Sequence, residues 1–196
     1  MTVRRLLKYS GIAASLVIAL PHSGQAQAWY TTLTGAAESP PSGSPATGFA
    51  TFSLTGTMFS MKITFAGLLG PVTAAHIHCC LPVPMTGNVG VATRVPTLLG
   101  FPSGVTAGSY LSTIDLSLAS SYNPAFVTAQ GSLAAAQAAF VSNLGTGREY
   151  LNIHTTFKPG GEIRGFIAAV PEPASLALVA TGLLGVGLVS ARRRRR

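Results

Sequence analysis

The chain of 196 residues contains four histidines, and their spacing is the first sign of chemistry. His76 and His78 stand in Ala75-His76-Ile77-His78, and His154 stands in Tyr150-Leu151-Asn152-Ile153-His154-Thr155. Alternate side chains of a strand share a face, so His76 and His78 project the same way. Two imidazoles on one strand, joined by a third from another, can hold a copper or zinc ion in a β-sandwich. The nitrogens must then converge, because each binds such an ion at about 2.0–2.1 Å. Convergence requires the strand of His154 to lie beside that of His76. Uptake of metal would then weaken as pH falls through the ordinary histidine range near ~6.5. The plainer alternative is three rings that only hydrogen-bond and pack. His22, the fourth, falls in a segment expected to be removed.

Other chemistry is thin. Cys79 and Cys80 follow His78 directly. Adjacent cysteines can close a vicinal ring, pair between chains, ligate a metal as thiolates, or stay reduced. A vicinal disulfide would close almost no loop and so constrain the unfolded chain little. No GxSxG occurs, and no carboxylate stands in an evident triad. Glu38, Asp115, Glu149 and Glu162 are not spaced as an acid–base pair, and no phosphate loop is present. No catalytic residue is therefore assigned, and an enzymatic role is not the favoured reading.

The formal charge of +8 is concentrated at the termini. Between Trp29 and Val170, five cations (Lys62, Arg94, Arg148, Lys158, Arg164) face the four carboxylates just named. Such a nearly neutral domain has no electrostatic footprint for nucleic acid.

The elements that must position the histidines read as strands. Trp29 to Leu33 opens the domain, and Gly48 to Leu54 and Thr57 to Ala66 form a hairpin about Gly56. In the second arm Phe59, Met61, Ile63 and Phe65 alternate with Ser60, Lys62 and Thr64. Thr73 to His78 and Gly108 to Leu116 follow, separated by a Pro- and Gly-rich loop over 81–104. Tyr150 to Thr155 and Glu162 to Phe166 are joined by the turn Lys158-Pro159-Gly160-Gly161. Glu162 and Arg164 share the polar face of the last strand; the plainer reading is an ion pair between strands, and the functional one is orientation of the His154 strand. One helix begins after the capping Ser132, with Leu133, Ala136, Phe140 and Leu144 as its apolar stripe and Gly145 as its stop. It is expected to cross one end of the sandwich.

Both ends of the chain read as targeting segments. Arg4, Arg5 and Lys8 precede an apolar run from Gly11 to Leu20, and Ala26-Gln27-Ala28 supplies a small-x-small cleavage pattern. Residues 1–28 are thus expected to be a secretory signal peptide, cut after Ala28. At the other end, Pro171-Glu172-Pro173 precedes an uncharged, mostly apolar stretch over 174–191 and the arginines 192–196. As a helix that stretch would reach ~27 Å, close to a hydrocarbon core of roughly 30 Å. The arginines would stay cytoplasmic and leave the domain outside. The expected organisation is a leader over 1–28, a domain over 29–170, and a sorting tail over 171–196.

Three blocks in order carry a family resemblance: Glu38-Ser39-Pro40-Pro41 with Gly48, the AHIH strand, and NIHT followed by GGEIRG. Over roughly residues 30 to 168 they resemble the CHRD domain, named after chordin and common in exported bacterial proteins. The resemblance implies an all-β, immunoglobulin-like, Greek-key antiparallel sandwich and no particular reaction. Where the family usually has Gly after the second histidine, Cys79-Cys80 stands here. The order of histidines is also distantly similar to Cu/Zn superoxide dismutases, but a fourth copper histidine and a zinc loop are missing. The tail resembles a PEP-CTERM sorting signal. That implies a Gram-negative source, an exosortase-type processing partner, cleavage near Pro171-Glu172-Pro173, and release to the envelope exterior. The expectation is a surface or matrix module whose partners are exopolysaccharide or other surface proteins. The alternative is a copper- or zinc-binding, oxidoreductase-like domain using His76, His78 and His154.

Overall fold

A computed structural model describes residues 27–170, with Gly182, Leu183 and Ser190 in the tail. The leader up to Ala26, the motif Pro171-Glu172-Pro173 and the span expected over 174–191 lie outside the described residues, those three tail positions apart. Among the described residues no helix is long and apolar enough to cross a membrane.

Seven strands build the domain: β1 (Gln27–Thr34), β2 (Thr47–Thr55), β3 (Met58–Ala66), β4 (Val72–His78), β5 (Gly108–Asp115), β6 (Thr146–Thr155) and β7 (Ile163–Ala169). All pairings are antiparallel, in the order β4-β6-β7-β1-β2-β3-β5. The sandwich is thus one curled sheet, because β1 bonds to β2 along one edge and to β7 along the other. Gly165 of β7 permits this close approach, since a Cβ there would collide with the Thr32 carbonyl of β1. β1 begins at Gln27, two residues before the cut expected after Ala28, and both residues are exposed.

Alternation places Phe52, Phe59, Met61, Ile63 and Phe65 of the hairpin in one core with Ile77, Leu151, Ile153 and Ile163 from the other half of the sheet. Burying each such side chain is worth about 1.5–3 kcal/mol. Two helices, not one, close the end of this core: α1 (Pro124–Gln130) and α2 (Leu133–Asn143). The extra helix follows from local signals. Asn123 caps α1 by accepting from the Ala125 amide at 3.0 Å, Pro124 takes the first turn, and Gly131 ends it at φ 86°. Ser132 then caps α2 as expected. Phe140 of α2 is fully buried and meets Phe59 edge-on, with ring centroids 5.5 Å apart.

β4 is an edge strand, and the long connection after it covers that edge. The Ala75 and Ile77 amides donate to Thr97 Oγ1 and Thr93 Oγ1, each at 2.9 Å. The Ile77 and Ala75 carbonyls accept from the Ala92 and Leu98 amides. The connection therefore extends the strand's hydrogen bonding and hides a row of open donors and acceptors.

Candidate metal centre

β4 and β6 are neighbours, and their register brings the histidines together. His76 pairs with Asn152, His78 with Tyr150, and Ala74 with His154. Paired positions share a face, so His76, His78 and His154 form one cluster on the side of the sheet away from Ile77 and Leu151. Ring centroids are 5.0 Å apart for His76–His154, 5.9 Å for His76–His78 and 6.0 Å for His78–His154. One nitrogen from each ring lies within 4.8 Å of the others.

One nitrogen of every ring is engaged. His76 Nε2 bonds to the Pro96 carbonyl, His78 Nδ1 to the Val89 carbonyl at 2.7 Å, and His154 Nδ1 to the Pro159 carbonyl at 2.8 Å. A carbonyl can only accept, so each of these nitrogens carries the proton. The other three, His76 Nδ1, His78 Nε2 and His154 Nε2, are buried lone pairs with no hydrogen-bond partner among the described residues. Burial, outweighing the carbonyl bonds, lowers all three rings below the usual histidine value of 6.5, His78 to about 4. The rings are therefore neutral at physiological pH, the form that ligates metal.

A wall of polar and aromatic groups backs the cluster. The Tyr150 ring stacks on His78 at 4.6 Å and 10°, and the Arg164 guanidinium lies 4.7 Å from the Tyr150 ring centre. Tyr150 Oη both accepts from the Val89 amide and donates to its carbonyl, fixing the residue that holds His78. Arg164 donates to the Ala37 and Gly87 carbonyls and to Asn88 Oδ1, and pairs with Glu38 at 3.8 Å. Burial pushes the Glu38 carboxyl up to about 7, against the pull of Arg164.

Glu162 and Arg164 do not pair with each other: Arg164 has its ion pair with Glu38, and the two side chains serve different loops. Glu162 accepts from Ser44 Oγ and Thr155 Oγ1, both at 2.6 Å, and from the Leu69 and Gly70 amides. Burial alone would raise its carboxyl, but these four bonds outweigh it and leave the value lowered. Glu162 thus ties the β6–β7 turn, which carries Pro159, to the loops after β1 and β3.

A second cluster lies on the core side. Cys79 and Cys80 are joined by a disulfide just beyond β4. Their sulfurs and a Glu149 carboxylate oxygen lie within 4.8 Å of one another. Glu149 is fully buried, both its oxygens lack a partner among the described residues, and burial pushes its carboxyl well above the ordinary range. Sequence reasoning passed over this carboxylate and the Glu38–Arg164 pair. For Glu149 a signal existed: it alternates with Leu151, Ile153 and Thr155, which face the core. For Pro96, Val89 and Pro159 none did, since they act through backbone carbonyls.

The structure defines a β-domain, a curled antiparallel sheet that carries three clustered histidines, two buried and His154 half-buried. The model of the CHRD domain matches residues 29–167, and the chain belongs to that family. A PEP-CTERM protein-sorting motif matches residues 169–196. No curated protein and no solved structure matches the chain. The sorting motif implies processing by an exosortase-type enzyme and a membrane-anchored precursor whose product is sorted to the cell surface or exported.

Proposed function

We propose that this exported CHRD domain binds one copper or zinc ion through His76, His78 and His154. The observation that carries the reading is the pattern of ring nitrogens. In each imidazole one nitrogen is fixed on a backbone carbonyl and the other is a buried, unpartnered lone pair. Outer partners that fix tautomer and orientation are a recurring feature of histidine metal sites. Burying three acceptors with nothing to accept from costs about 1–3 kcal/mol each, a cost that a bound cation offsets. Imidazole donors suit copper and zinc. For tetrahedral bonds of about 2.0–2.1 Å the nitrogens must close to roughly 3.3 Å, a movement that metal binding supplies.

The exported protein should take up about one equivalent of Cu(II) or Zn(II), and His154→Ala should weaken uptake by at least about tenfold. Because the rings are held below 6.5, uptake should persist near pH 6 and fail towards pH 4, where His78 becomes protonated. Equal affinity in wild type and His154→Ala would refute the site.

A second reading concerns the outer face of β1, β2, β3 and β5. There Phe49 is about half exposed, 6.5 Å from the Tyr30 ring, among Thr32, Thr51, Thr64 and Lys62. An aromatic platform among hydroxyls suits a sugar polymer, so we infer that this face contacts exopolysaccharide. Cosedimentation with exopolysaccharide should be lost in Phe49→Ala and kept in His154→Ala. Retention by Phe49→Ala would exclude this face.

A further inference from the structure

We propose that Cys79, Cys80 and Glu149 form a second metal site, for a thiophilic divalent ion such as zinc, that opens when the disulfide between the two cysteines is reduced. The histidine site faces the opposite side of the sheet, so the two proposals stand independently.

Glu149 carries the argument. A carboxyl at no solvent exposure, with both oxygens unpartnered among the described residues, is costly in a core of Phe, Ile and Leu. A residue there for packing alone would be apolar. What Glu149 does have beside it is a pair of sulfurs, close enough that one carboxylate oxygen and both sulfurs lie within 4.8 Å of one another. As long as the sulfurs are bonded together they are poor ligands. Once separated they are two thiolates beside a carboxylate, which is a zinc donor set. Zn–S bonds of about 2.3 Å and a Zn–O bond of about 2.0–2.2 Å would set the freed sulfurs roughly 3.8 Å apart, farther than when they are bonded, and each roughly 3.6 Å from the carboxylate oxygen, all within the 4.8 Å span already present. Cys79 is buried and Cys80 is half-buried, so the approach for reductant and metal is from the Cys80 side.

The step balances with an external dithiol. Its thiolate attacks Cys80 Sγ, the Cys79–Cys80 bond breaks, and Cys79 leaves as a thiolate. The second thiol of the reagent then attacks the mixed disulfide and releases Cys80. Two electrons pass from the dithiol, which departs as a disulfide, and its two protons go to the cysteines. Metal binding then displaces the two thiol protons and that of the Glu149 carboxyl into water.

The test uses the full chain in detergent micelles and Co(II) as the probe. One sample stays oxidised; another is reduced with a dithiol that is removed under anaerobic conditions. Thiolate-to-cobalt charge-transfer absorption in the near ultraviolet should appear only in the reduced chain. It should survive in reduced His154→Ala, which separates this site from the histidines. Glu149→Gln should weaken Co(II) binding at the thiolates by at least about tenfold, the loss that even outer partners of a metal produce. Absence of the band in the reduced wild-type chain would overturn the proposal without any variant, and unchanged affinity in Glu149→Gln would remove the carboxylate from it. Loss of the band in His154→Ala would assign the cobalt to a shared site and contradict a separate one.

Discussion

At the scale of the residue, the centre is a set of buried titratable groups whose shifts oppose one another. His78 falls from 6.5 to about 4 through burial, and His76 and His154 move the same way. A base depressed on folding binds fewer protons folded than unfolded between those values. Its contribution to stability is complete above 6.5 and is lost as pH falls towards 4. Glu38 runs in reverse: raised from 4.5 to about 7, it contributes fully below 4.5 and loses that contribution as pH rises through 7. The opposing slopes overlap between 4.5 and 6.5. Removing one of them with Glu38→Gln should make stability of the metal-free protein rise more steeply with pH across that interval than in wild type. Denaturant midpoints measured at several pH values give the slope, and a slope no steeper than wild type would contradict the burial of Glu38.

At the scale of the element, the site depends on what holds the β6–β7 turn. Glu162 collects four hydrogen bonds from three segments, and Pro159 in the same turn holds His154. Glu162→Ala would leave two hydroxyls and two amides without an acceptor. At about 1–3 kcal/mol for each buried group left open, a loss of at least ~3 kcal/mol is expected. Metal affinity should fall with it, although Glu162 is no ligand. A chemical-denaturation curve and a zinc titration of one preparation check both. Stability lost with affinity intact would mean that the turn does not position His154.

Much of this arrangement was legible in the sequence. Alternation alone puts Phe59, Met61, Ile63 and Phe65 on the core side, because a period of two is all that a half-buried strand requires. The same period puts His76 and His78 on one face. That β6 lies next to β4 did not follow from local pattern, since pairing is decided by contacts between residues more than seventy positions apart. Helix α1 escaped because Val127 and Thr128 are weak helix formers, while Asn123-Pro124 and Gly131 define its ends as caps. Glu162 and Arg164 look like a pair in a strand alternating along one face. In three dimensions each finds better donors or acceptors in loops distant in sequence.

At the scale of the whole molecule, the sorting motif places this domain on an exported chain, and the fold fixes the orientation of its histidines. The connection after β4 hides the strand edge and supplies the Val89 and Pro96 carbonyls that fix two of the rings. Metal would therefore meet a site whose tautomers are already set, so that little ordering remains to oppose binding. The most direct measurement is X-ray absorption at the zinc edge on the full chain in detergent micelles, loaded with one equivalent of zinc and with its disulfide intact. Three imidazole nitrogens at about 2.0–2.1 Å are expected, with the multiple scattering of histidine rings, and one of the three should be lost in His154→Ala. A nearest shell of oxygen alone, or a spectrum that His154→Ala leaves unchanged, would contradict the three-histidine site.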